Sequence, residues 1–274
     1  MTFTLCSFSN CSSTTSGGSI CVNGNLKLFI SKSSFRWCFS SAFGGGVYTC
    51  SGSNLISLSC FEECSAADAV DDSGHAAYLT CQPDKFLTLF TNNFVIKCPI
   101  PGIGADSSVF IGSSTEEFSN SNLTQNKEKY CEVFQTNCEC NLPTKLDLFV
   151  NSTSALLLTF SFYGELDSTV FLANLDIDGG ARMLNFVKGG GEVRNSIFFG
   201  NNHANFYCNK FPVIKECLFC KNKFSPPVGT EKCFGFSVKL GLSQNVCYIN
   251  PSHLFSFKDV YSGIFFVLLH FTLL

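Results

Sequence analysis

Ser33-Ser-Phe-Arg-Trp-Cys-Phe-Ser-Ser-Ala-Phe-Gly-Gly-Gly-Val-Tyr-Thr-Cys50 has three approximate copies in the chain, and that repetition decides the fold. Before it stands Cys6 to Cys21, CSFSNCSSTTSGGSIC. After it come Ser59 to Cys81, SCFEECSAADAVDDSGHAAYLTC, and a looser copy from Asn92 to Gly112, NNFVIKCPIPGIGADSSVFIG. In the first three copies a Phe is followed three residues later by a Cys: Phe8 and Cys11, Phe35 and Cys38, Phe61 and Cys64. The fourth has Phe94 and Cys98. These Phe positions lie 27, 26 and 33 residues apart. Each copy passes through small or turn-forming residues to a glycine-containing site, then resumes with a short apolar or alternating stretch.

A repeat of this length reads as one turn of a solenoid. Stretches such as Ser19 to Val22 and Val47 to Cys50 are strands of four or five residues, and the glycine pairs and triplets supply positive φ at corners. Stacked turns bring equivalent residues to about 4.8 Å, so that Phe lies over Phe in an interior ladder, each ring contributing roughly 1.5–3 kcal/mol of burial. One repeat cannot bury its own ring, so neighbours are obligatory. The predicted fold is all-β: a single-stranded right-handed parallel β-helix, or solenoid, with irregular loops.

Further along, residues 113–130 are polar and read as a loop or long turn. From Lys145 to Leu175 the runs Leu146-Asp-Leu-Phe-Val150, Ala155 to Tyr163 and Val170 to Ile177 read as strands buried on one side. The repeat resumes at Gly189 to Asn202 and at Glu216-Cys-Leu-Phe-Cys-Lys-Asn222, with Phe198 and Phe219 separated by 21 residues. Ser225-Pro-Pro-Val-Gly229 is the expected break. The expected organisation is therefore residues 1–228 as β-helix and residues 229–274 as a C-terminal section with an apolar tail.

Composition agrees with a stacked interior. Phe occurs 31 times and Cys 17 times, against one Trp and two Met. Charged residues make up 14% of the chain and the formal net charge is −3, which leaves no basic field for nucleic acid. So many cysteines, with sequons at Asn10, Asn122 and Asn151, favour a cell-surface or secreted location. The opening residues carry no basic, apolar leader pattern and already match the repeat, so the chain is expected to begin inside its own fold. Residues 264–274, IFFVLLHFTLL, are apolar apart from His270 and Thr272. They are too few to span a bilayer. Three readings stay open: part of a membrane span, the tail of a lipid-anchor signal, or a last strand or helix of the fold.

Phe-x-x-Asn occurs at Phe90–Asn93, Phe134–Asn137, Phe198–Asn201, Phe206–Asn209 and Phe219–Asn222, together with Gly17-Gly-Ser-Ile20 and Gly45-Gly-Val-Tyr48. This combination resembles the polymorphic outer-membrane protein repeats of chlamydiae and the similar surface-protein families of trichomonad parasites. The resemblance implies a right-handed β-helix displayed at the cell surface, several members of those families being linked to adhesion. The chain departs from them in size and in carrying neither their signal nor their membrane barrel, which bears on attachment more than on fold.

Candidate chemistry is sparse. Cys138, Cys140, Cys217 and Cys220 form two close pairs of the kind that hold zinc, but other cysteines follow the repeat, and stacking positions, some free and some bridged, account for them better. Asp176 and Asp178, two apart on a strand, have the spacing of paired carboxylates in polysaccharide hydrolases; a turn leading into Gly179-Gly180 is the simpler reading. Asp68, Asp71 and Asp72 beside His75 match no calcium loop. His75, His203, His253 and His270 have no metal-ligand spacing, and the glycines at 44–46 and 189–191 lack the Lys-Ser/Thr of a phosphate loop. No catalytic, cofactor or metal residue is therefore assigned. The expected function is a non-enzymatic surface module for adhesion or ligand display, with an unknown protein or glycan partner and membrane contact possible through 264–274. The alternatives are a polysaccharide-active β-helix enzyme and a non-functional fragment of a repeat family.

Overall fold

A three-residue strand with one large apolar residue between two outward ones buries a single side chain, so it needs a copy of itself above and below. In the computed structural model of the chain, Ser7–Ser9, Ser34–Arg36 and Cys60–Glu62 provide this, pairing in parallel with Phe8 opposite Phe35 and Phe35 opposite Phe61. The structure describes residues 1–67, 74–81, 87–99, 107–112, 115–127, 132–136, 142–145, 147–154, 156–160, 164–176, 182–187, 190–202, 205–208, 213–220 and 222. The proposed section 229–274 lies outside them.

The same pairing continues through a nine-stranded sheet that ends at Leu218–Cys220. A 15-stranded sheet encloses the rest of the interior, and two- and three-stranded ladders close the remaining corner. Every described ladder is parallel, each strand pairs with its equivalent one coil away, and no helix occurs among the described residues. The molecule is a single-stranded parallel β-helix.

The coils turn into and out of the nine-stranded sheet through single residues in the left-handed region. One column of these is Leu5, Lys32, Leu58, Asn92, Asn120, Ser168, Asn195 and Glu216; the other is Asn10, Trp37, Glu63, Lys97, Gln125, Asn151, Ala173 and Gly200. Glycine was expected at corners, yet only one residue of these two columns is glycine. From Leu5 to Asn195, the amide of each non-glycine residue here bonds the carbonyl that ends the next coil's strand, as Lys32 does to Ser57 and Trp37 to Glu62. Those bonds offset a left-handed penalty of about 1–2 kcal/mol.

Glycine is required at the third corner. Gly17, Gly44 and Gly74 have φ of +71°, +65° and +56°. A Cβ on Gly44 would sit 2.2 Å from the Val47 carbonyl oxygen. The second glycine of the motif serves a different purpose. Gly45 lies against the next coil, where a Cβ would meet the Ser65 and His75 carbonyl oxygens at 2.3 and 2.4 Å.

The interior holds ladders of rings. Phe8, Phe35 and Phe61 stack at 5.0 and 4.7 Å, and Phe149, Phe171 and Phe198 at 5.0 and 4.8 Å, all with nearly parallel ring planes. Between these runs the column changes. The partner of Phe61 in the fourth coil is Val95, followed by Leu123; Phe94 pairs with Cys60 and is only half-buried. The sequence alignment through Phe94 is thus one residue out of register. The missing volume is supplied by Phe90 and Phe118, which stack at 5.4 Å in the neighbouring column where the third coil has Ile56. Ile56 with Phe61, Phe90 with Val95, Phe118 with Leu123 and Val193 with Phe198 each combine one ring and one aliphatic side chain at the two positions. In these coils the filling of the two positions stays constant while its parts exchange places.

Two further expectations need correction. Residues 113–130 contain strands Thr115–Ser119 and Asn122–Thr124. Phe118 and Leu123 are the large apolar side chains that these strands bury, and the residues around them are polar, so composition hides the strand. Ile20–Ser31 and Val47–Ser57 run for 12 and 11 residues, well beyond the four or five expected, because adjacent flanks of the 15-stranded sheet are continuous in these coils.

Candidate binding surface

Strand alternation places Cys21, Tyr48, Tyr78 and Phe110 in one register column of the 15-stranded sheet, between residues that point inward: Val47 and Thr49, Ala77 and Leu79, Val109 and Ile111. The aromatic members therefore lie on the outer face. Tyr48 and Tyr78 stack at 5.4 Å and Tyr78 and Phe110 at 4.7 Å; Phe43, from the corner before the glycines, adds a ring 5.0 Å from Tyr78. Phe43, Tyr48 and Tyr78 are half-exposed and Phe110 is buried. Beyond Tyr48 the column continues with the exposed Cys21, whose small side chain leaves that ring without an aromatic cover. Alongside runs a second outward column, Asn23, Cys50 and Thr80.

The stripe thus combines ring edges with amide, thiol and hydroxyl groups, a surface suited to ligands that are apolar on one side and hydrogen-bonding on the other. Burial, then the neighbouring Cys50 and Cys21 thiols, raise the Tyr48 pKa above its ordinary value. The sequence reading treated these residues as unremarkable strand. The signal that marks them is the aromatic four residues after Gly44 and Gly74, the same offset in consecutive repeats.

A charged edge flanks the second turn column. The Arg36 guanidinium lies 4.1 Å from the Trp37 ring centroid and 3.0 Å from Glu62, while Trp37 Nε1 donates to Glu63 at 2.7 Å. At the other end of the helix Asp167 meets Arg194 at 3.3 Å. Burial alone would raise the Asp167 pKa; hydrogen bonds from Asn195 and Ser168 and the Arg194 charge outweigh it and hold it low.

The cysteines of the repeat form a column inside the second turn. Cys38, Cys64 and Cys98 are buried and free, and each thiol donates to the carbonyl of the central Phe one coil back: Phe8, Phe35 and Phe61. Asn126, Ser152, Asn174, Asn201 and Asn222 continue the column. Asn174, Asn201 and Asn222 send Nδ2 to the Phe149, Phe171 and Phe198 carbonyls. Phe-x-x-Cys in the early coils and Phe-x-x-Asn at Phe198–Asn201 and Phe219–Asn222 are therefore one structural position filled by two donors, whereas Asn93 of Phe90–Asn93 stands in the other turn column and accepts from the Ser59 amide. Burial pushes the Cys64 thiol well up, and the hydrogen bond with Cys64, then burial, does so for Cys38; both are protonated and unreactive.

The residues singled out from sequence are not gathered into one site. Cys217 belongs to the first turn column and its thiol donates to the Lys215 and Val193 carbonyls, while Cys220 pairs in register with Phe199. Cys138, Cys140, Asp178, Asp68, Asp71, Asp72, His203, His253 and His270 lie outside the described residues, as do the apolar residues 264–274. Asp176 ends the short strand Leu175–Asp176, opposite Ser154. His75 is buried and accepts at Nδ1 from the Ala66 amide at 3.0 Å, which ties the imidazole to the corner. Among the described residues no three His, Cys, Asp or Glu side chains come together to hold a metal, and no helix is long and apolar enough to cross a membrane. No family model, curated protein or solved structure matches the chain.

Proposed function

We propose that the chain is a non-enzymatic, surface-displayed or secreted β-helix module that binds a protein or glycan ligand, in adhesion or ligand display. The observation that carries this reading is the outward stripe of Phe43, Tyr48 and Tyr78, three half-exposed rings in contact on a rigid sheet. Rings fixed by strand register lose little conformational entropy on binding. The likeness to chlamydial and trichomonad surface repeats supports the same reading. So do the disulfide-bonded Cys60 and the exposure of sequon residues Asn10 and Asn151 at the second turn column.

The test is binding of the full chain to a glycan array and to intact cells, beside the double variant Tyr48→Ala, Tyr78→Ala. Both side chains point away from the core, so circular dichroism should be unchanged. Saturable binding that weakens by about tenfold or more in the variant, about 1.4 kcal/mol, is expected. Binding that is absent, or equal in the two proteins, overturns the proposal. Biotinylation of intact cells, read by peptides of this chain, tests the location.

A further inference from the structure

The second turn column sets a glycosylation sequon beside the single tryptophan of the chain. Ser9 pairs with Arg36 and Ser12 with Phe39, so Asn10 of the sequon Asn10-Cys11-Ser12 stands in register with Trp37, one coil away. The Asn10 amide bonds the Arg36 carbonyl at 3.0 Å and the Phe39 amide bonds the Cys11 carbonyl at 2.9 Å, which holds that register on both sides. Asn10 and Trp37 both have φ of +53°, and adjacent coils lie about 4.8 Å apart. Asn10 and Ser12 are exposed, and Asn10 Nδ2 donates to the neighbouring Ser9 hydroxyl at 3.4 Å.

Trp37 lies outside the interior core and is 39% exposed. Its ring is held in place all the same: Nε1 donates to Glu63 at 2.7 Å, the Arg36 guanidinium lies 4.1 Å from its centroid, and Glu63 in turn meets Lys97 at 3.6 Å. A large aromatic side chain that is exposed and fixed by polar neighbours offers a surface that the core does not use. The C–H face of a pyranose packs on such a ring while its hydroxyls stay in water, and a ring already fixed loses little entropy in the contact. The other sequons are built differently. Asn151 has Gln125 and Ala173 as its neighbours in the column, and Asn122 has Phe94 beside it but stands within a strand with its Oδ1 buried.

We propose that Asn10 carries an N-linked glycan and that the first N-acetylglucosamine packs on the Trp37 indole. In the transfer, Asn10 Nδ2 bonds to C1 of a lipid-linked oligosaccharide, the lipid diphosphate leaves and the amide loses one proton. Transfer takes place on the extended nascent chain, and folding of the first two coils then brings the sugar onto the ring. This rests on the secreted or surface location proposed above.

The full chain is expressed with an added secretion leader in eukaryotic cells that make oligomannose glycans, and occupancy is mapped by mass spectrometry on intracellular and secreted protein alike. Trp37 is the single tryptophan, so tryptophan emission reads this site alone. Endoglycosidase H leaves one N-acetylglucosamine on the asparagine; peptide N-glycosidase removes it and leaves an aspartate. Emission should hold after the first enzyme. After the second it should move to longer wavelength and become easier to quench with acrylamide, as it should in Ser12→Ala and Asn10→Gln, which cannot be glycosylated there. Unmodified Asn10 in both fractions overturns the proposal. So does a modified Asn10 whose emission matches the two variants, or moves already after the first enzyme. The added leader makes these outcomes independent of the native location, which biotinylation of intact cells reads separately.

Discussion

At the scale of single residues, two interior columns of small polar side chains hold the turns. In the first, Ser33, Ser59, Asn93, Ser121, Asp147 and Ser196 each accept a hydrogen bond from the backbone amide of the equivalent residue one coil earlier. Asp147 is the exception in chemistry. Its Oδ1 takes the Ser121 amide at 2.7 Å, its Oδ2 has no hydrogen-bond partner among the described residues, and burial drives its pKa well above the ordinary carboxylate value. The folded chain keeps that proton at pH values where the unfolded chain has lost it, so stability is greatest below the unfolded pKa, about 3.9, and declines as pH rises toward the folded value. Asp147→Asn keeps the acceptor and adds a donor, as Asn93 shows by bonding the Ile56 carbonyl. Urea denaturation should give the variant a higher midpoint at pH 7 and a smaller advantage at pH 4. Equal pH dependence in both proteins would contradict the assignment.

Cys98 offers a matching experiment in the second column. Its thiol accepts from the Cys64 amide and donates to the Phe61 carbonyl. Cys98→Ala strands both groups and should cost about 1–3 kcal/mol in chemical denaturation. Cys98→Asn, the residue the later coils use, should cost less. The reverse ranking would show that the column selects for size alone.

At the scale of elements, the corners decide whether coils stack. Gly44→Ala combines a φ of +65° with a methyl 2.2 Å from a carbonyl oxygen, whereas Gly24→Ala meets a φ of +92° with nothing within 4 Å. The second variant isolates backbone strain, about 1 kcal/mol. The first adds displacement of the Val47 strand and should lower the denaturation midpoint markedly more. The strands themselves were legible unevenly. Ser34–Arg36 is plain because its neighbours repeat it. Thr115–Ser119 is not, because a strand that buries one or two side chains in five has the composition of a loop. Phe94 misled for a related reason: a ring was taken as the inward residue when register makes Val95 inward and lets Phe90 fill the space.

At the scale of the whole molecule, each coil touches only its neighbours, so a side chain's contribution depends on where it stands in the stack. Phe171 lies fully buried between Phe149 and Phe198, while Phe8 is only partly buried and packs between Phe35 and the edge of Phe3. Phe171→Ala should cost about 3–5 kcal/mol, and Phe8→Ala clearly less, by calorimetry or denaturant titration. Hydrogen exchange should show the Phe8 variant losing protection in the first coil while later coils keep theirs. A uniform loss would mean that the helix unfolds as a single unit.

The repeat of Phe, Cys and glycine by itself determined that this chain stacks parallel coils around rings and thiols, because a short strand with one inward side chain is stable only against its own copy. Register, by contrast, was decided in three dimensions. Whether a residue faces in or out flips with a shift of one position, and the interior volume of one coil constrains the next, so the exchange between Phe61 and Phe90 needed coordinates. The outward aromatic stripe escaped the sequence for the same reason: its members lie about one coil apart in the chain and become neighbours only when the coils are stacked.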